Sequence, residues 1–467
     1  MRDDSIGLGS PHYNILVLAR ALTFSPDQDE HFFQELPAAA AVFLLRGEGE
    51  PYVSKTANLR RRLQRLLGPP AEHSKRLNLR DRIREIAFTP TGSDFESQYL
   101  LYQLLRETLP KTYAVRLRLR PAPLVKLHLE NEYPRASVTT RLGKIRFVTT
   151  EDGPSGAKAR IDAAMVTARL EAVPFQNSRE EIVEAPGVPA RPAEKASSIN
   201  TGENARVSKR HGDNLYYGPF PSRTAAEKFA NDALDFFKMR RCVEDLNPDP
   251  AFPGCVYSEM KMCLAPCFKG CTDSEYHAEV ARVQAFFDTA GHSLNRELAE
   301  QRDHASADLA FEDAAATHAK IEKLKPVLAQ LPEIVRRIDR LAAIILQPGA
   351  ESGAVSLFRF SKAQLAGPLT FSIEQRAESQ SMESRVAAVI QNFPGPDAKS
   401  ITERMEHLAI LKRWYYRSRR TGEIFFADDR GEWPLRRIVR GIGRVYRGEK
   451  PQEDARFSAT GPAVPPS

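Results

Sequence analysis

Ala41-Val42-Phe43-Leu44-Leu45 is an unbroken apolar run of strand length, followed by the polar glycine turn Gly47-Glu48-Gly49-Glu50 and a second short run, Pro51–Ser54. Two such runs around a tight turn predict a β-hairpin. Thr56 or Asn58 is placed to cap a helix over Leu59–Leu67, which stops before Gly68-Pro69-Pro70. Ile86–Thr89 suits a third strand. Ser93-Asp94-Phe95-Glu96 has the form of a capping box opening a helix over Glu96–Thr108, ended by Pro110. The order β-β-α-(α)-β-α predicts a small mixed domain over 38–110. Residues 1–37 show no strong periodicity and read as an extension. Beyond the domain, Arg116, Arg118 and Arg120 alternate with Val115, Leu117 and Leu119, which predicts a strand with guanidiniums on one face and aliphatics on the other.

The pattern changes at 151–214, a stretch rich in Ala, Pro, Glu and Ser and poor in aromatics. It reads as a low-complexity linker, with a short helix at Ala157–Ala172 and a disordered run at Ala185–Ser208. Order resumes at Leu215-Tyr216-Tyr217-Gly218-Pro219-Phe220-Pro221, and an amphipathic helix over Ser222–Phe237 leads into a cysteine-rich region, 215–275. Residues 276–330 are strongly helical and break near Leu309-Ala310-Phe311-Glu312, which predicts a helical hairpin. A strand pair (Val355–Phe360, Leu369–Ile373), a long helix (Ser400–Tyr416) and a basic helix (Pro434–Val445) make 331–450 a C-terminal α/β region, followed by a disordered tail over 451–467. The expected fold class is α+β, multidomain.

Charge sharpens this picture by its location. Lys+Arg number 67 and Asp+Glu 60, a net charge of +7. Between Lys55 and Ile86 alone there are ten basic and three acidic residues, and Lys111–Lys126 adds five basic residues and no acid. Arg60, Arg61, Arg65, Lys75, Arg76, Arg116, Arg118 and Arg120 are therefore candidate phosphate contacts, and nucleic acid is the expected partner over a merely solvated basic face. The longest mainly apolar run, Leu36–Leu45, is ten residues, about half of a membrane span. With no secretion signal in view, a cytoplasmic protein without disulfides is expected. Four of the five cysteines then stand out: Cys242, Cys255, Cys263 and Cys267 lie within 26 residues, and Cys271 follows after three more residues. Four thiolates suit an iron–sulfur cluster or a zinc ion, and Cys271 could replace a neighbour or stay free.

In their order along the chain these pieces resemble the UvrC family, the nuclease subunit of bacterial nucleotide excision repair. Ala41-Val42-Phe43 and Tyr52-Val53-Ser54 stand for the two signature triplets of a GIY-YIG nuclease domain, which with its following strands would span 38–135. Tyr133-Pro134-Arg135 and Tyr216 through Ser222 resemble the family's linker. Arg241-Cys242, Pro253-Gly254-Cys255, Lys261-Met262-Cys263 and Ala265-Pro266-Cys267 match its cysteine block, and Leu309-Ala310-Phe311-Glu312-Asp313-Ala314-Ala315 resembles the UVR motif. The resemblance implies a [4Fe–4S] cluster on Cys242, Cys255, Cys263 and Cys267, with zinc as the alternative. It also implies DNA as substrate, and a UvrB-type partner held through Leu309, Phe311, Ala315, Ile321 and Leu324. The same apolar residues would equally serve a hairpin that packs only on itself.

GIY-YIG chemistry uses a tyrosine-held water, a glutamate-bound Mg2+ or Mn2+ and an arginine beside the phosphate. Tyr52, Lys55 and Arg62 match that set, whereas Phe43 replaces the first signature tyrosine, Leu101 the metal glutamate and Ala114 the asparagine. Five residues back from Leu101, Glu96 would point about 140° away from the Tyr52/Arg62 side. No acidic triad or helix-hairpin-helix pair of the family's C-terminal part is visible after 330. There Asp428-Asp429 reads as a turn, and Arg413-Trp414-Tyr415-Tyr416-Arg417 as a helix packing its aromatics inward. A UvrC-like repair protein with weak or absent incision activity is expected. The alternatives are an active single-metal endonuclease and a non-catalytic adaptor for DNA and UvrB.

Overall fold

The computed structural model describes residues 18–27, 30–69, 77–143, 213–244, 246–374, 380–394 and 400–449. Residues 151–212 of the linker expected over 151–214, the tail over 451–467, and Lys75 and Arg76 lie outside them. The described elements form a mixed α+β structure with three antiparallel sheets, and the described residues make up one compact unit.

The first sheet runs β1-β4-β2-β3, from β1 (Arg20–Thr23), β2 (Ala41–Gly47), β3 (Tyr52–Thr56) and β4 (Ile83–Pro90). The apolar run of β2 is buried from Ala41 to Leu45, as a central strand covered on both faces requires. Helices α1 (Glu30–Glu35) and α2 (Leu59–Leu67) supply one cover, through Phe33, Leu59, Leu63 and Leu66 against Phe43, Leu45 and Phe88. Asn58 starts α2 by accepting the Arg61 amide on its side chain. Helix α3 (Asp94–Thr108), capped by Ser93, follows β4.

Two expectations are corrected here. Part of the extension expected over 1–37 belongs to the fold: β1 pairs with β4, and Phe24, Phe33 and Leu36 join the core. Four strand residues and a six-residue helix are too short to show a period. The strand expected through Arg116, Arg118 and Arg120 is instead a short helix, α4 (Tyr113–Leu117), with Arg118 left-handed at φ 47°. Val115 is 75 % exposed while Leu117 is buried, so the alternating aliphatics do not share one buried face. The Tyr113 hydroxyl donates to Glu406 at 2.8 Å, a tertiary bond that overrides the local pattern.

The second sheet, β6-β5-β7-β8, gathers short strands far apart in sequence: β5 (Leu124–Leu127), β6 (Ala136–Thr139), β7 (Leu215–Gly218) and β8 (Arg336–Arg337). After it come α5 (Arg223–Leu234), the one-turn α6 (Val256–Glu259), and α7 (Asp273–Asp288), α8 (His292–Ala307) and α9 (Phe311–Ala329).

The third sheet runs β11-β10-β9-β12, from β9 (Ala342–Pro348), β10 (Ala354–Ser361), β11 (Gln364–Ser372) and β12 (Glu423–Phe426). Helices α10 (Met382–Gln391) and α12 (Leu435–Tyr446) pack Val386, Ile390, Ile438 and Ile442 onto its Ile344, Leu346, Val355 and Leu357. Its other face meets α11 (Ile401–Tyr415) and α3: the Phe95 ring lies 5.0 Å from Phe358 and 5.1 Å from Trp414, and the Tyr99 hydroxyl donates to the Leu365 carbonyl. Helix α3 thus serves both the first and third sheets. The two come so close at Gly92 that a Cβ there would sit 2.1 Å from the Pro348 carbonyl oxygen.

Candidate functional site

β3 is an edge strand, and its alternation sends Tyr52 and Lys55 to opposite faces. On the α2 side, Tyr52 packs beside Phe43, ring centroids 6.1 Å apart, and its hydroxyl accepts from Arg62 Nη2 at 2.8 Å. Arg62 Nε is buried without a hydrogen-bond partner among the described residues. On the α3 side, Lys55 Nζ donates to Asp94 Oδ1 at 2.6 Å, and Arg417 reaches the other Asp94 oxygen. Burial works to raise the Asp94 carboxyl, but Lys55 and Arg417 together outweigh it and hold the group below its ordinary value. Neither Asp94 nor Arg417 was among the sequence candidates. Asp94 was visible as a first-turn acid, whereas Arg417 lies 323 residues away and carries no local signal.

Leu101 is half-buried on α3. Seven residues from Asp94, it falls within about 20° of the same helix face. Glu96 faces elsewhere: it accepts the Gly92 amide at 2.9 Å and a hydrogen bond from Ser356 of the third sheet. Burial pushes its carboxyl up to about 7, with those two bonds opposing. Ala114 is exposed on α4.

The basic surface is narrower than the sequence suggests. Arg61 and Arg65 of α2 are exposed, but Arg60 donates inward to the Leu36 carbonyl at 2.8 Å. Arg80, Arg82 and Arg84 also bond backbone carbonyls, those of Leu67, Glu48 and Asp81. Arg116 is paired with Glu50 at 2.8 Å, and Arg118 and Arg120 are exposed without sharing a strand face.

The cysteine segment folds back on itself through left-handed positions at Gly254, Lys261, Ala265 and Lys269. Each of the three non-glycine residues costs on the order of 1 kcal/mol there, so the turns are held by their surroundings. Several N–H donors meet the sulfurs: Arg240 Nη1 to Cys242 at 3.4 Å, the Ala265 amide to Cys263 at 3.3 Å, and the Phe268 amide to Cys267. Burial pushes the Cys263 thiol up to about 11, and the neighbouring Cys242, Cys267 and Cys255 add to the shift. The Cys271 thiol is raised by burial and then by Glu275 and Asp273, surroundings that resist a thiolate. Among the described residues no three His, Cys, Asp or Glu side chains are arranged as a bound ion requires.

The hairpin of α8 and α9 turns at Asp308–Ala310, with Leu309 left-handed at φ 61°. The five apolar candidates divide. Leu309 and Phe311 at the tip are 71 % and 65 % exposed and Ala315 is exposed, while Ile321 and Leu324 are buried at the base. Trp414 and Tyr415 are buried and the Tyr416 hydroxyl bonds the Pro219 carbonyl, so that stripe packs inward. No helix of the described residues is long and apolar enough to cross a membrane.

Residues 196–286 match the family of UvrC/Cho excinuclease middle domains. The chain is also similar to UvrABC system protein C of several bacteria. That of Idiomarina loihiensis is 34 % identical over 110 residues, 24 % of this chain and 18 % of the relative. That of Stenotrophomonas maltophilia (strain K279a) is 26 % identical over 236 residues, 47 % and 38 % of the two chains. That of Rickettsia felis is 23 % identical over 314 residues, 67 % and 38 %. The matches to these relatives span at most 38 % of their length. No solved structure matches the chain.

Proposed function

We propose that this UvrC-like chain serves nucleotide excision repair as a subunit that binds DNA and a UvrB-type partner, with a nuclease-like centre of weak or absent incision activity. The observation that carries the reading is the fate of the acids on α3, the helix to which the resemblance assigns the metal glutamate. Tyrosine and arginine remain hydrogen-bonded, but the position that would hold a metal reads Leu101, and both oxygens of Asp94 on the same α3 face are taken by Lys55 and Arg417. A divalent ion needs carboxylate oxygen and would have to displace two cations to reach it. Arg62 and Tyr52 can still engage a phosphate, because binding an anion needs no metal.

A nicking assay on damaged duplex with Mg2+ or Mn2+ tests this. The wild type is expected to cut at background, and Leu101→Glu with Phe43→Tyr to raise cutting. Robust wild-type incision abolished by Arg62→Ala would instead establish an active endonuclease.

The exposed hairpin tip supports the partner reading over purely internal packing, which accounts only for Ile321 and Leu324. Leu309→Ser with Phe311→Ser should weaken capture of a UvrB C-terminal hairpin at least tenfold. Stability should change by less than about 0.5 kcal/mol per site, since both side chains are exposed. Unchanged capture would favour the self-packed hairpin.

Cys242, Cys255, Cys263 and Cys267 are the residues that would hold a [4Fe–4S] cluster, with zinc the alternative. The N–H donors onto three of these sulfurs suit thiolate ligation. A bound cluster would supply a redox-capable cross-link between the turns of this segment.

A further inference from the structure

Below the hairpin base, between the end of α5, the cysteine segment and helices α7 to α9, lies an open cleft of about 540 Å3. Six cations line it, Lys238, Arg241, Lys261, Arg282, Lys320 and Lys323, against the two carboxylates Asp235 and Glu297. They come from separate parts of the chain: Lys238 and Arg241 follow α5, Lys261 sits in the cysteine segment, Arg282 is on α7, and Lys320 and Lys323 are one turn apart on α9.

Two of the six are partly neutralised and form a fixed wall. Arg282 pairs with Glu279 and with Glu297 of α8, and its guanidinium lies 5.5 Å from the Phe237 ring centre. Arg241 pairs with Asp235 at 2.7 Å, yet its Nε is buried with no hydrogen-bond partner among the described residues. None of the four lysine ammoniums has an acidic partner among the described residues. Lys261 also adopts the left-handed φ of 54°, a conformation its side chain disfavours.

Like charges converging on one concavity repel, and a bound polyanion relieves that repulsion. The floor differs from an ordinary solvated basic face: Phe236, Met262, Leu294 and Leu298 give it an apolar surface. Cations around an apolar floor, in a volume within the usual range for ligand pockets, fit a phosphate joined to a flat base.

We infer that this cleft binds a nucleotide unit, with its phosphate on the lysines and its base on the apolar floor. This goes beyond the reading above, which draws DNA to the N-terminal module. The same chemistry is offered by a single-stranded stretch of DNA and by a free nucleotide.

The test uses the full chain and a fluorescein-labelled single-stranded oligonucleotide carrying 5-iododeoxyuridine, with anisotropy titrations at two salt concentrations and mapping of photo-cross-links. Lys320→Glu with Lys323→Glu changes exposed helix positions, and its melting temperature is checked against the wild type. Lys261→Ala probes the opposite wall. The charge-reversed variant should lose at least tenfold in affinity, and the slope of log K against log salt should become shallower by about 1.4, two single-strand phosphate contacts. Cross-links should map to Phe236 or Met262. Displacement of the oligonucleotide by millimolar deoxyadenosine monophosphate marks a free-nucleotide site, and resistance to it marks a strand site; both uphold the cleft. Wild-type affinity in both variants, or cross-links confined to other regions, overturns it. Arg61→Glu with Arg65→Glu is run in parallel. If only that variant loses binding, the cleft inference fails and the N-terminal DNA surface stands; if only the cleft variants lose it, the reverse holds.

Discussion

Replacing Arg240 with methionine is expected to lower the free energy of unfolding by about 2–3 kcal/mol, the range for losing hydrogen bonds made by a charged group. Among the described residues Arg240 is the largest of the fully buried side chains, 2 % exposed. Its Nε donates to the Tyr133 carbonyl at 2.9 Å, and its Nη1 donates to the Glu244 carbonyl at 2.8 Å and to Cys242 Sγ at 3.4 Å. Its own amide donates to the Tyr276 hydroxyl, which donates in turn to the Pro134 carbonyl at 2.7 Å. One side chain therefore fastens the 133–134 turn to the first cysteine. Methionine fills part of the space but leaves two carbonyls unbonded. Urea denaturation followed by circular dichroism measures the loss, and a change under about 1 kcal/mol would remove Arg240 from this role. If a cluster is bound, anaerobically purified Arg240→Met should also lose visible absorbance, which a zinc protein never shows.

The second large effect is one of pH. Folded Glu96 keeps its proton up to about pH 7, whereas the carboxyl's ordinary value is 4.5. Between those values the folded chain holds the extra proton, so the contribution of Glu96 is complete below about 4.5 and is lost as pH rises through about 7. A displacement of this size corresponds to about 3 kcal/mol at most. Glu96→Gln should keep both bonds, accepting from the Gly92 amide and donating to Ser356, without the ionisation. The variant should be more stable than the wild type above pH 7 and nearly equal to it near pH 5. His128 and His407, both pushed down to about 4 mainly by burial, act in the opposite sense below about 6.5. The difference between the two proteins, not the wild-type curve, therefore isolates Glu96. Identical profiles for both from pH 5 to 8.5 would rule the effect out.

Elements with a strong local signature were legible in the sequence. The β2–β3 hairpin, α2 with its Asn58 cap, α3, and the paired helices around Leu309 all coincide with apolar runs, caps or breaks. What escaped was set by distant partners. The second sheet is built of strands of two to four residues drawn from 124 to 337, each too short to carry a period. β9 and β12 completed a sheet of which only β10 and β11 were foreseen. The candidate centre divides the same way. That Tyr52 and Arg62 meet follows from a strand running into a capped helix, whereas the Asp94–Arg417 pair depends on α11 delivering its end to α3. Arg116 through Arg120 show the converse error, a clean alternation with no sheet to join.

Helix α3 is a party wall. One flank belongs to the N-terminal sheet, and the other lodges Phe95, Tyr99 and Tyr102 against Phe358, the Leu365 carbonyl and Glu406. A fragment cut after residue 143 would keep its own sheet yet expose a row of aromatic rings to water. The first and third sheets are therefore one inheritance: a substitution on either side of the wall is judged by its fit to both, and neither half can be traded for another module without rebuilding that helix.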